Sequence, residues 1–239
     1  MAGSSKKVIY EALVGNGLIA ITTFIASAFT GSSAMMSEGI HSLVDTGNQV
    51  LLLLGLKKAQ KPADKNYPFG HGKEIYFWSF VVAIMIFAVG AGISIYEGIH
   101  SLIDPHPVQN PLINYIVLGL AMIFEGFAWY FAWKEFDKAS GDRGYYETVR
   151  KEKNPTIFVV LFEDSAALLG LLVAFIGIAL GQWTGLYMFD GIASIIIGII
   201  LGITAAWLAY ETKGLLIGES ADPKIVESIT GMAYNHSAI

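Results

Sequence analysis

Residues 191 to 210 read GIASIIIGIILGITAAWLAY, 20 positions without a single Asp, Glu, Lys, Arg or His. A helix rising 1.5 Å per residue covers about 30 Å over that length, the thickness of a bilayer's hydrocarbon core. Four further uncharged stretches occupy residues 12 to 37, 75 to 96, 107 to 124 and 165 to 189. The stretch from 12 to 37 outlasts one span, and Gly31-Ser32-Ser33 offers it a turn. A sixth span is therefore expected from about Ala34 to Leu56, apolar from Val50 to Leu54 but carrying Glu38, His41 and Asp45. The expectation is an all-α membrane protein, a bundle of six helices near residues 8 to 29, 34 to 56, 75 to 101, 112 to 133, 156 to 180 and 188 to 210. The first is read as a retained helix rather than a cleaved signal, because its apolar run exceeds an ordinary signal core.

Composition supports a lipid setting. Charged residues make up 15% of the 239, against roughly 25% in soluble domains, too few to coat so much apolar surface. There is no Cys, which excludes thiolate metal sites and disulfide frameworks. A net charge of -5 excludes a broad nucleic-acid footprint.

Lys and Arg collect on the cytoplasmic side of membrane helices. In a six-span topology all 15 fall on one side: Lys6 and Lys7 at the start, Lys57 to Lys73 after helix two, Lys134 to Lys153 after helix four, and Lys213 and Lys224 at the end. Both termini are thus expected in the cytoplasm. Asn110-Pro111 and Asn154-Pro155 read as a cap residue followed by proline at the first helical position. Gly177, Gly181 and Gly185, and Gly198 with Gly202, are spaced four apart, which reads as close helix packing within the bundle.

An ionisable side chain inside a bilayer costs roughly 2.5 to 3.5 kcal/mol on insertion scales, so those present mark binding sites or pathways. Asp45 lies about 16 Å from the inner end of helix two, and Asp164 about 12 Å from the inner start of helix five. His41 precedes Asp45 by one helical turn and shares its face, and Glu38 with either Asn48 or Gln49 extends the stripe. An imidazole and two carboxylates suit a divalent cation, Zn2+ first, with Mn2+, Fe2+ and Co2+ open. A buried polar network binding the helices together is the structural alternative. Residues 97 to 104, Glu-Gly-Ile-His-Ser-Leu-Ile-Asp, repeat the pattern of residues 38 to 45. His100 stands about 37 Å along helix three from Ile75, beyond the core, so His100 and Asp104 are read as surface residues. Glu125 and Asp190 are read as interhelical hydrogen-bonding groups.

These residues resemble the cation diffusion facilitators, which export divalent metals in exchange for protons. The loop Tyr67-Pro68-Phe69-Gly70-His71-Gly72-Lys73-Glu74 resembles that family's signature between helices two and three. His41-Ser42-Leu43-Val44-Asp45 is similar to the helix-two half of its transport site, Asp164-Ser165-Ala166-Ala167 to the helix-five half, and Asp190-Gly191-Ile192-Ala193-Ser194 to its helix-six opening. The resemblance implies a Zn2+ (or related metal)/proton antiporter with His41, Asp45 and Asp164 as ligands, forming a homodimer in the cell (inner) membrane. The family commonly supplies a further ligand four residues before the helix-five Asp, where Val160 stands here. Water, Asn48 or Glu163 would then complete the site, although Glu163 is about 100° around the helix from Asp164. Asp64 and His71 align with residues that hold a second zinc in some members.

Residues 1 to 213 are expected to form the transport domain, and 214 to 239 the start of a truncated cytoplasmic domain whose first helix opens at Asp222-Pro223 and runs to about Asn235. Two rival classes are a membrane metal sensor or assembly module that binds without transport, and a metallohydrolase. The second lacks a His-Glu-x-x-His motif, so no enzyme is expected.

Overall fold

The computed structural model describes residues 2–140, 155–218 and 223–234. Among them the chain is helical with no strand: α1 (Ala2–Thr30), α2 (Ser33–Ala59), α3 (Glu74–Ile103), α4 (Pro111–Ser140), α5 (Pro155–Thr184), α6 (Met188–Ile217) and the short α7 (Pro223–Tyr234). Five of these contain segments long and apolar enough to cross a membrane: Ala12–Thr30, Glu74–Ile103, Pro111–Lys138, Phe158–Thr184 and Met188–Ile217. Large apolar side chains such as Phe29, Phe127, Ile203 and Tyr210 point outwards, as they do where the surrounding solvent is lipid. The protein is an integral, multi-pass membrane helical bundle. The helix α2 is of comparable length, but Glu38, His41, Asp45, Lys57 and Lys58 leave it less apolar than the other five. It packs against α1, α3, α5 and α6, and more than half of its residues are buried.

Five of the six helices start within one residue of expectation, whereas α1 begins six residues earlier and α4 and α6 end seven residues later, because the apolar stretch marks only what lies in lipid while the helix continues into water. The first turn falls where glycine was expected to allow it. Gly31 has φ +69°, and Ser32 caps α2 by accepting from the Met35 N–H at 3.2 Å. Pro111 does open α4, with Asn110 at φ 46° before it. Asn154, Asp222 and the four basic residues Arg143, Arg150, Lys151 and Lys153 lie outside the described residues.

Three turns without Lys or Arg meet at one end of the bundle. The Gln109 N–H donates to the Thr30 carbonyl at 2.8 Å, joining the loop before α4 to the end of α1. The Ser32 hydroxyl donates to Asp190 Oδ1 at 2.6 Å, joining the turn before α2 to the start of α6. At the other end, the Lys73 ammonium lies beside Gly218, and Lys58 covers the Trp78 ring, its Nζ 4.8 Å from the ring centre.

The glycine spacing is confirmed in part. A Cβ on Gly177 would lie 2.5 Å from the Ala193 Cβ, and one on Gly198 would lie 2.6 Å from Ile95 Cγ1. Gly185 is a correction: it sits beyond the end of α5 at φ +73°, with its N–H on the Gly181 carbonyl, so it ends the helix instead of packing it. A closer approach of backbone to backbone than at either of these was not anticipated. Gly98 and Gly191 face one another across α3 and α6, each with the other's carbonyl oxygen within 2.9 Å of where its Cβ would stand. The helix α3 also contains a π-helical segment, Ile86–Ala91, where the Gly92 N–H reaches back to the Phe87 carbonyl. The apolar pattern carries no mark of it.

Gly98→Ala would bring a methyl to 2.7 Å from the Gly191 carbonyl and 2.8 Å from the Ile195 nitrogen. It is expected to destabilise the bundle by about 1 to 3 kcal/mol, because backbone cannot give way as a side chain can. Gly119→Ala, which meets nothing within 4 Å, is expected to be neutral or slightly stabilising. Thermal melting of both variants in detergent checks the contrast.

Candidate functional site

The polar face of α2 turns into the bundle. Glu38, His41, Asp45, Asn48 and Gln49 are all buried, and so are Glu125 of α4 and Glu163 and Asp164 of α5, none more than 2% exposed. His41 and Asp45 sit one turn apart, with Nε2 3.5 Å from Asp45 Oδ2. That is near enough for electrostatic attraction and too long for a hydrogen bond. Both ring nitrogens of His41 therefore lack a hydrogen-bond partner, as do Asp45 Oδ1 and both Asp164 oxygens.

The helix α5 meets this face with two carboxylates. Glu163 Oε1 accepts from the Asn48 amide at 3.1 Å. Asp164 lies against Glu125, close enough for a hydrogen bond when one of the two carries a proton. Asp45 interacts electrostatically with both Glu163 and Asp164. Glu38 fits against Gly170, where a Cβ would lie 2.5 Å from Glu38 Oε1, so the bare backbone of α5 makes room for that carboxyl. The donors thus form neighbouring groups around His41–Asp45 and around Asp164–Glu125. Among the described residues no three His, Asp or Glu side chains gather into a finished metal-ligand set.

The sequence-based site residues are distributed as follows. His41, Asp45 and Asp164 lie in one buried region, with Glu163 and Asn48 beside them and engaged with each other. Val160 is buried at 2% exposure and offers no donor one turn before Asp164. His100 and Asp104 are exposed, His100 against the Tyr96 ring and Asp104 paired with His106 at 3.2 Å, as expected of surface residues. Asp190 does bridge helices: it accepts from the Ser32 hydroxyl and from the Ser33 and Ala34 N–H groups. It is an anionic cap on α2 supplied by α6, favourable at a helix N-terminus. Glu125 lies beside Asp164, but its Oε1 and both Asp164 oxygens have no hydrogen-bond partner. Its signal in the sequence was a lone acidic residue within an apolar span.

In the loop before α3, His71 Nε2 and Asp64 Oδ2 are 2.9 Å apart, and Tyr67 lies against the imidazole. Asp64 also accepts from the Asn66 and Tyr67 N–H groups. Its carboxylate ties this loop together, and the two candidate donors engage one another. His71 borders a separate cavity of about 360 Å³ with Lys58, Lys73, Glu74 and Leu216.

A lipid-facing helical bundle with unpartnered carboxyl groups and an imidazole inside defines a membrane protein with an ionisable interior. Residues 9–217 match the cation efflux transmembrane domain, and the chain belongs to the cation diffusion facilitator family, a family of transporters. It is 34% identical over 235 residues to the proton-coupled zinc antiporter SLC30A9, mitochondrial, of Homo sapiens, covering 98% of this chain and 41% of that protein. It is 30% identical over 239 residues to metal tolerance protein C4 of Arabidopsis thaliana, covering 98% and 52%. The manganese efflux system protein MneP of Bacillus subtilis is 26% identical over 237 residues, covering 96% and 74%. The chain spans about two fifths to half the length of the first two relatives.

The His71 hydrogen bond, with help from the Tyr67 and Asn66 N–H groups, holds the Asp64 carboxyl below the ordinary carboxylate range. His71→Ala is expected to raise it towards that range, read by carboxyl-carbon NMR titration. Because the folded-state pKa is the lowered one, the loop's ordering by Asp64 is present above the unfolded-state pKa and fades as pH falls through the folded-state value.

Proposed function

We propose that this chain is the membrane part of a divalent metal cation/proton antiporter that exports Zn2+ from the cytoplasm, with His41, Asp45 and Asp164 holding the ion. The observation that carries the reading is the buried His41–Asp45 pair with Asp164 nearby, all with unpartnered donor atoms in a lipid-surrounded bundle. Unpartnered polar atoms at such depth are costly unless something binds them. Imidazole nitrogen with carboxylate oxygens matches zinc, and manganese remains within the range of the oxygens. The names of the relatives support the same class of cargo, zinc with proton coupling in one and manganese in another.

The exchange follows from charge. Metal ions and protons compete for the same nitrogen and oxygen atoms, so the carboxylates that carry a cation outwards need protons in its place on return. In this reading α2 is the sixth span, both termini face the cytoplasm, residues 1 to 213 carry transport, and 214 to 239 open a cytoplasmic domain. A homodimer accords with the same reading.

In sealed proteoliposomes under a pH gradient, Asp45→Ala and Asp164→Ala are each expected to abolish Zn2+-dependent proton flux. Flux at the wild-type level in either variant would remove that residue from the site. Metal binding by the wild type without any proton counterflow would instead identify a sensor or assembly module. In the same vesicles Val160→His, tested with Zn2+, Mn2+, Fe2+ and Co2+ in competition, is expected to shift preference towards Zn2+ by adding an imidazole one turn before Asp164.

A further inference from the structure

We propose that Glu125 of α4 is a fourth donor to the transported ion and biases the site towards harder cations, supplying from α4 the ligand that Val160 does not supply from α5. The proposal rests on the reading of His41, Asp45 and Asp164 as the ion site.

Three observations carry it. Glu125 lies near the middle of α4, about 21 Å from Pro111 and about 22 Å from Ser140 along the helix, where a carboxylate is expensive and needs a role. It is 2% exposed, and its Oε1 has no hydrogen-bond partner. Its carboxyl lies beside Asp164 and within electrostatic range of Asp45 and Glu38 of α2. It therefore belongs to the Asp164 group while facing the α2 group. His41, buried with both ring nitrogens unpartnered in the same region, is the non-acidic group that marks this as a place for a cation.

Of the other oxygens near Asp164, Glu163 Oε1 already accepts from Asn48, which ties Glu163 to α2, while Glu163 Oε2 and Asn48 Oδ1 are unpartnered as Glu125 Oε1 is. Glu125, by contrast, borders a cavity of about 210 Å³ between α1 and α4, lined also by Asn16, Gly15 and Ala12. The Asn16 amide nitrogen is itself buried without a partner. A carboxylate beside open space can re-aim without displacing a packed neighbour. A carboxylate exchanged for imidazole at the fourth position replaces nitrogen by a hard oxygen, which raises the relative affinity for Mn2+ over Zn2+.

A tie between α4 and α5 is the plain structural role for a Glu125–Asp164 contact, and ion preference separates the two. Isothermal titration of the purified full chain in detergent, with Zn2+ and Mn2+ added separately, would compare wild type with Glu125→Gln, Glu125→Asp and Asp164→Asn. Glu125→Gln is expected to weaken Mn2+ binding at least about tenfold more than Zn2+ binding, and Glu125→Asp to shift it less in the same direction. Equal weakening of both metals, or none, overturns the proposal. If the glutamine variant does not fold, an unchanged preference in Glu125→Asp overturns it equally. Asp164→Asn is expected to abolish both; if it binds both metals as wild type does, the site reading itself fails, whereas its loss with an unchanged preference at Glu125 sinks this inference alone.

Discussion

A carboxylate enclosed in hydrocarbon must have a counter-charge or a hydrogen-bonding partner, and most of this molecule's architecture can be read from how it answers that demand. Asp190 answers it with a helix N-terminus and a serine hydroxyl, and so becomes a structural fastener between α6 and the turn before α2. Asp64 answers it in water, with an imidazole and two backbone N–H groups. Glu38, Asp45, Glu125, Glu163 and Asp164 are the ones left with oxygens unanswered. The same residue type thus has two fates in one chain, and the number of available donors nearby divides them.

That division explains why α2 looks unlike its neighbours. A helix that presents lipid on one side and carboxylates on the other cannot be uniformly apolar, and only enclosure by other helices makes its composition tolerable. Gly170 and Gly39 show how the enclosure is reached: each removes a side chain where another needs the space, Gly170 for the Glu38 carboxyl and Gly39 for the Phe24 ring.

The helices, their turns and the His41–Asp45 pair were legible in sequence because each is a local matter of apolar length, a glycine at the turn, or a four-residue spacing. Asp164 could be matched to them by depth alone. Glu125 could not be assigned to Asp164, since which faces of α4 and α5 meet is decided by side-chain packing across the bundle. The π-helical segment of α3 is hidden for a related reason: a one-residue change in hydrogen-bond register leaves the hydropathy of the segment untouched. Gly185 was misread because a spacing of four is shared by packing stripes and by the glycine that ends a helix.

The contact of Gly98 with Gly191, continued by Gly198 against the Ala91 carbonyl, brings α3 and α6 together backbone to backbone. Neither helix contributes a carboxylate or imidazole to the buried donor groups, which come from α2, α4 and α5. The molecule is therefore divided into a keel and a cradle: two helices joined along a seam where backbone meets backbone, and others holding the buried donor groups. Across that division, Ser37 of α2 hydrogen-bonds to Ser194 of α6, whose hydroxyl also meets the Ser94 carbonyl of α3 at 2.8 Å. Such hydroxyls can exchange partners at little cost, unlike the Asp190 cap and the Gly177–Ala193 contact that cross the same division.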